Sequence, residues 1–354
     1  GQVVINELDS DTPSTDDKEF VELKSAIPNY PLDGYVLVFF NGNPSSSTAN
    51  KSYFAIDLDG LTTDANGIIL IGNSLVSPAP DKLFSDNIIQ NGADGVGLYL
   101  GNATDFPEDT LATTTNLIHA LMYDTNDADA TALMTLLGVL TQYDENQNNL
   151  QATQSVQRKS DGTYEAKNPT PGANNDGSGI VFNGITITTN TANKNEGDSF
   201  IITFTTQTNV TSDLIFNFTL NKSSFNTSDF TGNTTVSIPS GSNTFATTIT
   251  ITDDAFDEGD EVLNIKFGTI PSQYKRLNDN IEIQVVDNDF TIASFGTPLN
   301  PTYGTVSSTA PIDYYASLEG LSGAALKQAI QNIIANPAVV HAHNYGDITD
   351  ILKT

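Results

Sequence analysis

The sequence predicts a mainly β protein: two immunoglobulin-like β-sandwiches in tandem, followed by a short, incomplete α-helical C-terminal segment. Three observations lead there. From residue 1 to about residue 290 the chain consists of short alternating or β-branched runs separated by Gly, Asn, Asp and Pro clusters. Near residue 176 a stretch able to form neither helix nor strand divides that region in two. Beyond about residue 310 the apolar period changes from 2 to 3.6.

Taken in order, the chain enters a strand pattern at once with Val3-Val4-Ile5-Asn6-Glu7-Leu8. No charged leader or apolar signal core stands ahead of it, so the expectation is a mature or trimmed chain, with Gly1 a processing or cloning remnant. Tyr35-Val36-Leu37-Val38-Phe39-Phe40 is the strongest apolar run and has strand length, well short of the ~20 residues that span a bilayer. Gly67-Ile68-Ile69-Leu70-Ile71-Gly72 and Gly95-Val96-Gly97-Leu98-Tyr99-Leu100 continue the first sandwich. The exception is 128–140, where Leu133, Met134, Leu136, Leu137 and Leu140 fit a short helix packed on the sandwich after an acidic turn. Residues 168–179, rich in Pro, Gly and Asn, read as a linker.

Ile185-Thr186-Ile187-Thr188 opens the second sandwich, and 296–309 forms a second break rich in Pro, Gly, Ser and Thr. Ser322 can then cap a helix whose Leu326, Ala329, Ile330, Ile333 and Ile334 make one apolar stripe ended by Asn336-Pro337. A second short helix is expected over 347–353. So short a segment cannot bury two apolar faces by itself, so the expectation is a domain that continues beyond Thr354 or docks on its neighbours. The divisions are therefore 1–176, 177–290, a linker at 291–311, and 312–354.

Charge narrows function. The 354 residues hold 43 Asp and Glu against 14 Lys and Arg, a formal charge of −29, with 38% apolar residues and no Cys. Clustered basic residues are what displace counterions from a phosphate backbone, so residues 1–290 are not expected to bind nucleic acid. The pairs Arg158-Lys159 and Lys275-Arg276 are too small for a phosphate patch. Without Cys there are no disulfides, thiolate nucleophiles or common structural zinc sites, which leaves oxygen ligands or one of three His. The acid is uneven: −18 over 1–176, −9 over 177–290 and −2 over 291–354.

The densest acidic constellation lies in the second sandwich: Asn195-Glu196-Gly197-Asp198, Ser228-Asp229-Phe230, Asp253-Asp254-Ala255-Phe256-Asp257-Glu258-Gly259-Asp260-Glu261 and Asp287-Asn288-Asp289. If these carboxylates converge, their repulsion needs a hard divalent cation taking 6–8 oxygen ligands. The alternative is a set of solvated turn acids, since Asp favours turns for reasons unrelated to metal. The run Ile249-Thr250-Ile251-Thr252-Asp253-Asp254 through Glu261, followed by Val285-Val286-Asp287-Asn288-Asp289, resembles the Calx-beta domain over about 178–290. That resemblance implies an immunoglobulin-like sandwich with Ca2+ at one tip. Carried over by motif, Glu196, Asp229, Asp253, Asp254, Glu258 and Asp287 would be ligands, with Asp289 a further one.

The first sandwich resembles the bacterial lamin tail domain. The motifs are Val4-Ile5-Asn6-Glu7-Leu8-Asp9, Glu19-Phe20-Val21-Glu22-Leu23, Asp33-Gly34-Tyr35-Val36-Leu37-Val38, Gln90-Asn91-Gly92-Ala93-Asp94-Gly95-Val96, Gln157-Arg158 and Pro169-Thr170-Pro171-Gly172-Ala173. This family fixes a fold better than a role. Glu7, Asp9, Glu19 and Glu22 either surround another cation or, as the preferred reading, face outward from their strands. The third stretch, Asp313-Tyr314-Tyr315-Ala316-Ser317-Leu318-Glu319-Gly320-Leu321 and on to Tyr345-Gly346-Asp347-Ile348, resembles the opening of bacterial endonuclease I, a secreted Mg2+-dependent nuclease family of the ββα-metal class. In that family the catalytic His and the metal-binding Asn and Glu come later, so no catalytic residue is assigned and the present chain is not expected to cut DNA.

His341-Ala342-His343 is expected in an ordinary interhelical loop in preference to a metal site, and His119 as a half-buried strand residue. No G-x-S-x-G elbow is present. Gly92, Gly95 and Gly97 are no dinucleotide fingerprint, because no helix follows them. The expectation is a non-catalytic, calcium-stabilised accessory region of a secreted bacterial extracellular endonuclease, with cell-surface or secretion-machinery components as partners. The alternative is a cell-surface adhesion or structural protein, or a secretion-system cargo, with no nuclease role.

Overall fold

The computed structural model describes residues 3–254, 259–288 and 318–335. Its elements follow the alternation in the sequence. The first sandwich runs through β1 (Val3–Asp9), β2 (Phe20–Ser25), β3 (Tyr35–Asn41), β4 (Lys51–Asp57), β5 (Ile68–Gly72), β6 (Lys82–Leu83), β7 (Asp94–Leu100), β8 (Leu117–Asp124), β9 (Gln142–Asp144), β10 (Ser155–Arg158) and β11 (Tyr164–Lys167). One sheet has the order β11-β10-β1-β2-β5-β6 and the other β4-β3-β7-β8-β9. Between them Ile5, Leu23, Leu37, Phe39, Val96, Leu98 and Leu121 form the core. The outer face of the second sheet is also covered: helix α1 (Thr131–Leu137) lays Leu133, Met134 and Leu137 over Val36, Val38 and Phe40. This is why β3 shows no polar alternation and is buried along nearly its whole length.

The helix is shorter than the apolar spacing predicts. Gly138 takes the left-handed conformation (φ 67°) and its N–H closes the last turn on Met134 and Thr135, so the helix ends there. Leu140, expected on the apolar face, lies beyond that stop and is 95% exposed.

The second sandwich runs through β12 (Asn183–Thr189), β13 (Asn193–Asn195), β14 (Ser199–Thr206), β15 (Leu214–Thr219), β16 (Phe230–Gly232), β17 (Thr235–Ile238), β18 (Thr244–Ile251), β19 (Glu261–Phe267), β20 (Tyr274–Arg276) and β21 (Ile281–Val286). Its sheets are ordered β16-β18-β14-β12-β20 and β13-β21-β19-β15-β17. Here the period of 2 is plain, because each sheet is buried on one face: Leu214, Phe216 and Phe218 point in while Ile215, Asn217 and Thr219 point out. The core centres on Phe204, whose ring lies 5.5 Å from Phe216, 5.0 Å from Phe218 and 5.6 Å from Phe267.

Near the C-terminus α2 (Gly323–Ala335) forms where the 3.6-residue period predicts it, with Leu326 and Ile330 buried beside Leu318. The helix expected at 347–353, the break at 296–309, Tyr314-Tyr315 and His341-Ala342-His343 lie outside the described residues. Among the described residues no helix is long and apolar enough to cross a membrane.

Candidate functional site

The acidic constellation of the second sandwich is assembled by strand ends. Asn195, the last residue of β13, pairs with Val286 at the end of β21, and the Glu196 N–H donates to the Val286 carbonyl at 3.2 Å. The next N–H, of Gly197, reaches the carbonyl of Ile251 at the end of β18 (3.1 Å). On the other side of β18, Phe230 pairs with Ile251, and the Thr252 N–H donates to the Asp229 carbonyl at 2.9 Å. Asp253 and Asp254 follow directly and are exposed. The ends of β13, β16, β18 and β21 thus meet at one tip, which gathers Glu196, Asp229, Asp253, Asp254 and Asp287.

Asn288 ties the tip together, its side-chain amide donating to the Glu196 carbonyl (3.3 Å) and to Asp253 Oδ1 (3.2 Å). Asp287 is only 6% exposed and accepts the Gly259 N–H on Oδ2 at 2.7 Å, while its own N–H donates to Asp260 Oδ1 at 3.2 Å. Asp229 accepts the Asn226 N–H (2.6 Å) and the Ser228 hydroxyl (3.1 Å), which orders its loop. Glu258 and Asp289, the other expected ligands, lie outside the described residues. Among the described residues no three acidic or His side chains stand close enough to hold a metal. The donor chemistry at the tip suits a hard cation, since the four acidic motifs contain no Lys, Arg or His. Asp260 and Asn288 were missed as individual contributors, although both lie inside those motifs.

The acids of the first sandwich behave differently from either expectation. Glu7, Glu19 and Glu22 are 0% exposed and Asp9 is 6% exposed, so none faces solvent from its strand. They do not share one centre either. Glu7 accepts hydrogen bonds from the Thr170 N–H (2.8 Å), the Thr170 hydroxyl (2.7 Å), the Ser155 hydroxyl (2.6 Å) and the Gln157 amide (3.2 Å). Glu22 accepts the Gly172 N–H and the Asn6 amide, each at 2.7 Å. Glu19 takes the N–H groups of Ile88 (2.9 Å) and Ile89 (3.1 Å). Asp9 lies against Glu145, which accepts both the N–H and the hydroxyl of Ser10.

The physical reason is that segments 168–175 and 85–91 cover the outer face of β1 and β2, and their backbone donors need buried acceptors. Burial raises the pKa of Glu7 and lifts Asp9, Glu22 and Glu145 well above their ordinary values. It pushes Glu19 up to about 8, against the pull of the two N–H donors. His119, on β8, is half-buried as expected; its Nδ1 accepts the Ile5 N–H at 3.3 Å, and burial lowers its pKa to about 4, so it is neutral.

A cavity of about 210 Å3 lies between the two sandwiches, bordered by Asp64, Asp81, Phe182, Tyr274, Lys275 and Arg276. Its charged groups pair with one another: Lys275 with Asp64 at 2.8 Å and Arg276 with Asp81 at 3.4 Å. The two basic residues are therefore structural ties between the sandwiches.

The chain matches no family model and no curated protein. Among solved structures, the apo form of the Calx CBD1 domain is 16% identical and aligns over 30% of this chain and 98% of that one, with a TM-score of 0.25. CBD12 from CALX1.2 is 14% identical over 30% of this chain and 45% of its own, also at 0.25. CaCohA2 from Clostridium acetobutylicum is 12% identical over 30% and 92%, with a TM-score of 0.16. Likenesses this slight assign neither ligand nor role.

Proposed function

We propose that the chain is a non-catalytic accessory region of a secreted bacterial protein, stabilised by calcium at the tip of its second sandwich, whose work is to space or attach a nuclease domain. The observation that carries the reading is the meeting of four strand ends, which gathers Glu196, Asp229, Asp253, Asp254 and Asp287 from four separate stretches of sequence. The side chains stand apart among the described residues, and a divalent cation that drew them together would offset the repulsion between their carboxylates. The motif resemblance to Calx-beta and the resemblance of 312–354 to endonuclease I supply the rest of the reading.

Two assays test it. After chelator treatment, millimolar calcium is expected to raise the melting temperature; calcium at about ten times its Kd contributes about 1.4 kcal/mol. An unchanged melting temperature would remove calcium from the account. Plasmid DNA incubated with the chain and magnesium is expected to stay intact, and nicking above a metal-free control would show that the region is itself catalytic.

A further inference from the structure

The segment between β11 and β12 has the composition of a flexible linker, yet both sandwiches grip it. On the side of the first sandwich, Glu7 takes both donors of Thr170 and Glu22 takes the Gly172 N–H at 2.7 Å. The Asn175 amide donates to the carbonyls of Asn6 and Arg158, each at 3.0 Å. From the second sandwich, Lys275 Nζ donates to the Gly172 carbonyl at 2.5 Å. One residue is therefore bonded through its N–H to a buried carboxylate of the first sandwich and through its C=O to an ammonium of the second sandwich.

The same lysine pairs with Asp64 and lies 4.6 Å above the centre of the Phe182 ring. Its neighbour Arg276 bonds Asp279 at 2.6 Å within its own sandwich and reaches Asp81 across the gap. Backbone contacts complete the seam: the Ala79 N–H donates to the Arg276 carbonyl and the Ser77 hydroxyl to the Leu277 carbonyl, both at 2.8 Å. Asn66 exchanges two bonds with Ile180, at 2.8 and 2.9 Å.

Gly172 has φ of +73°, and a Cβ there would stand 2.5 Å from Pro78 Cγ and 3.1 Å from Lys275 Nζ. Only glycine fits this position. The Lys275 and Asp64 side chains are 21% and 20% exposed, so their pair is less screened than a surface pair.

Domains joined by a Gly-rich chain move relative to one another unless directional contacts fix them. We propose that residues 168–182 are a rigid key, centred on Gly172 clamped between Glu22 and Lys275, that holds the two sandwiches at one fixed angle. The chain is then a stiff arm, and its acidic tip stands at a set distance from the first sandwich. This deepens the spacing role and does not depend on calcium.

The absence of native Cys makes the test direct. Spin labels on Ser45→Cys and Ser212→Cys, both at exposed positions in different sandwiches, report the distance between them by pulsed electron resonance in chelator-containing buffer. The expected result is one narrow distance distribution. Lys275→Met and, separately, Gly172→Ala are expected to widen it by about twofold toward linker-like spread, with the far-ultraviolet circular dichroism unchanged. Lys159→Met, at the surface of the first sandwich, is expected to leave it narrow. A broad distribution in the parent chain, or one that both joint variants leave narrow, would overturn the proposal. Since calcium is absent throughout, failure here is distinct from failure of the calcium reading.

Discussion

Single carboxylates decide how the first sandwich responds to pH. Burial raises Glu19 from 4.5 to about 8, while its N–H donors from Ile88 and Ile89 pull it down less strongly. A carboxyl whose folded pKa exceeds its unfolded value holds its proton more tightly in the folded state. Its contribution is complete below the unfolded value and is lost as pH rises through the folded one. Glu7, Asp9, Glu22 and Glu145 are shifted in the same direction. The melting temperature of the chain in chelator is therefore expected to fall from about pH 5 to about pH 8, and Glu19→Gln to flatten part of that fall. A melting temperature that rises over this interval would contradict the assignment. None of this was legible in sequence, because a period-2 pattern places an acid on one face of a strand but does not say that a distant loop covers that face.

Elements were legible where one rule dominated. Strands of the second sandwich alternate cleanly because each sheet is covered on one side, and the tip motifs fall at strand ends where the alternation stops. Phe204, at the centre of the aromatic cluster, is expected to cost about 3–5 kcal/mol on truncation to Ala, read as the shift in a denaturant midpoint. A loss below about 1 kcal/mol would mean that the core can collapse around the gap. The short helix α1 was read correctly in type but too long at both ends, since apolar spacing alone cannot see that Gly138 adopts a left-handed turn. Gly138→Ala is expected to destabilise the first sandwich by about 1 kcal/mol, measured by the same midpoint, because a Cβ is disfavoured in that conformation.

At the scale of the molecule, the charge of −29 divides into roles that composition could not separate. Part of the acid is buried as acceptors for loop backbones in the first sandwich, and part is gathered at the tip of the second. Lys275-Arg276, set aside in the sequence as too small for phosphate, turns out to spend its charge on Asp64, Asp81 and Asp279 at the seam. A linker was legible in 168–179 from its Pro and Gly content. Its rigidity was not, because the groups that hold it come from residues about 150 positions earlier and 100 positions later.

Calorimetric titration of the chelator-treated chain tests for a calcium site at the tip. Calcium is expected to bind with Kd of roughly 10⁻⁴–10⁻³ M, and Asp253→Asn combined with Asp287→Asn to abolish the signal while leaving the fold intact. No binding by the parent chain up to several times that range, or equal binding by the double variant, would contradict it.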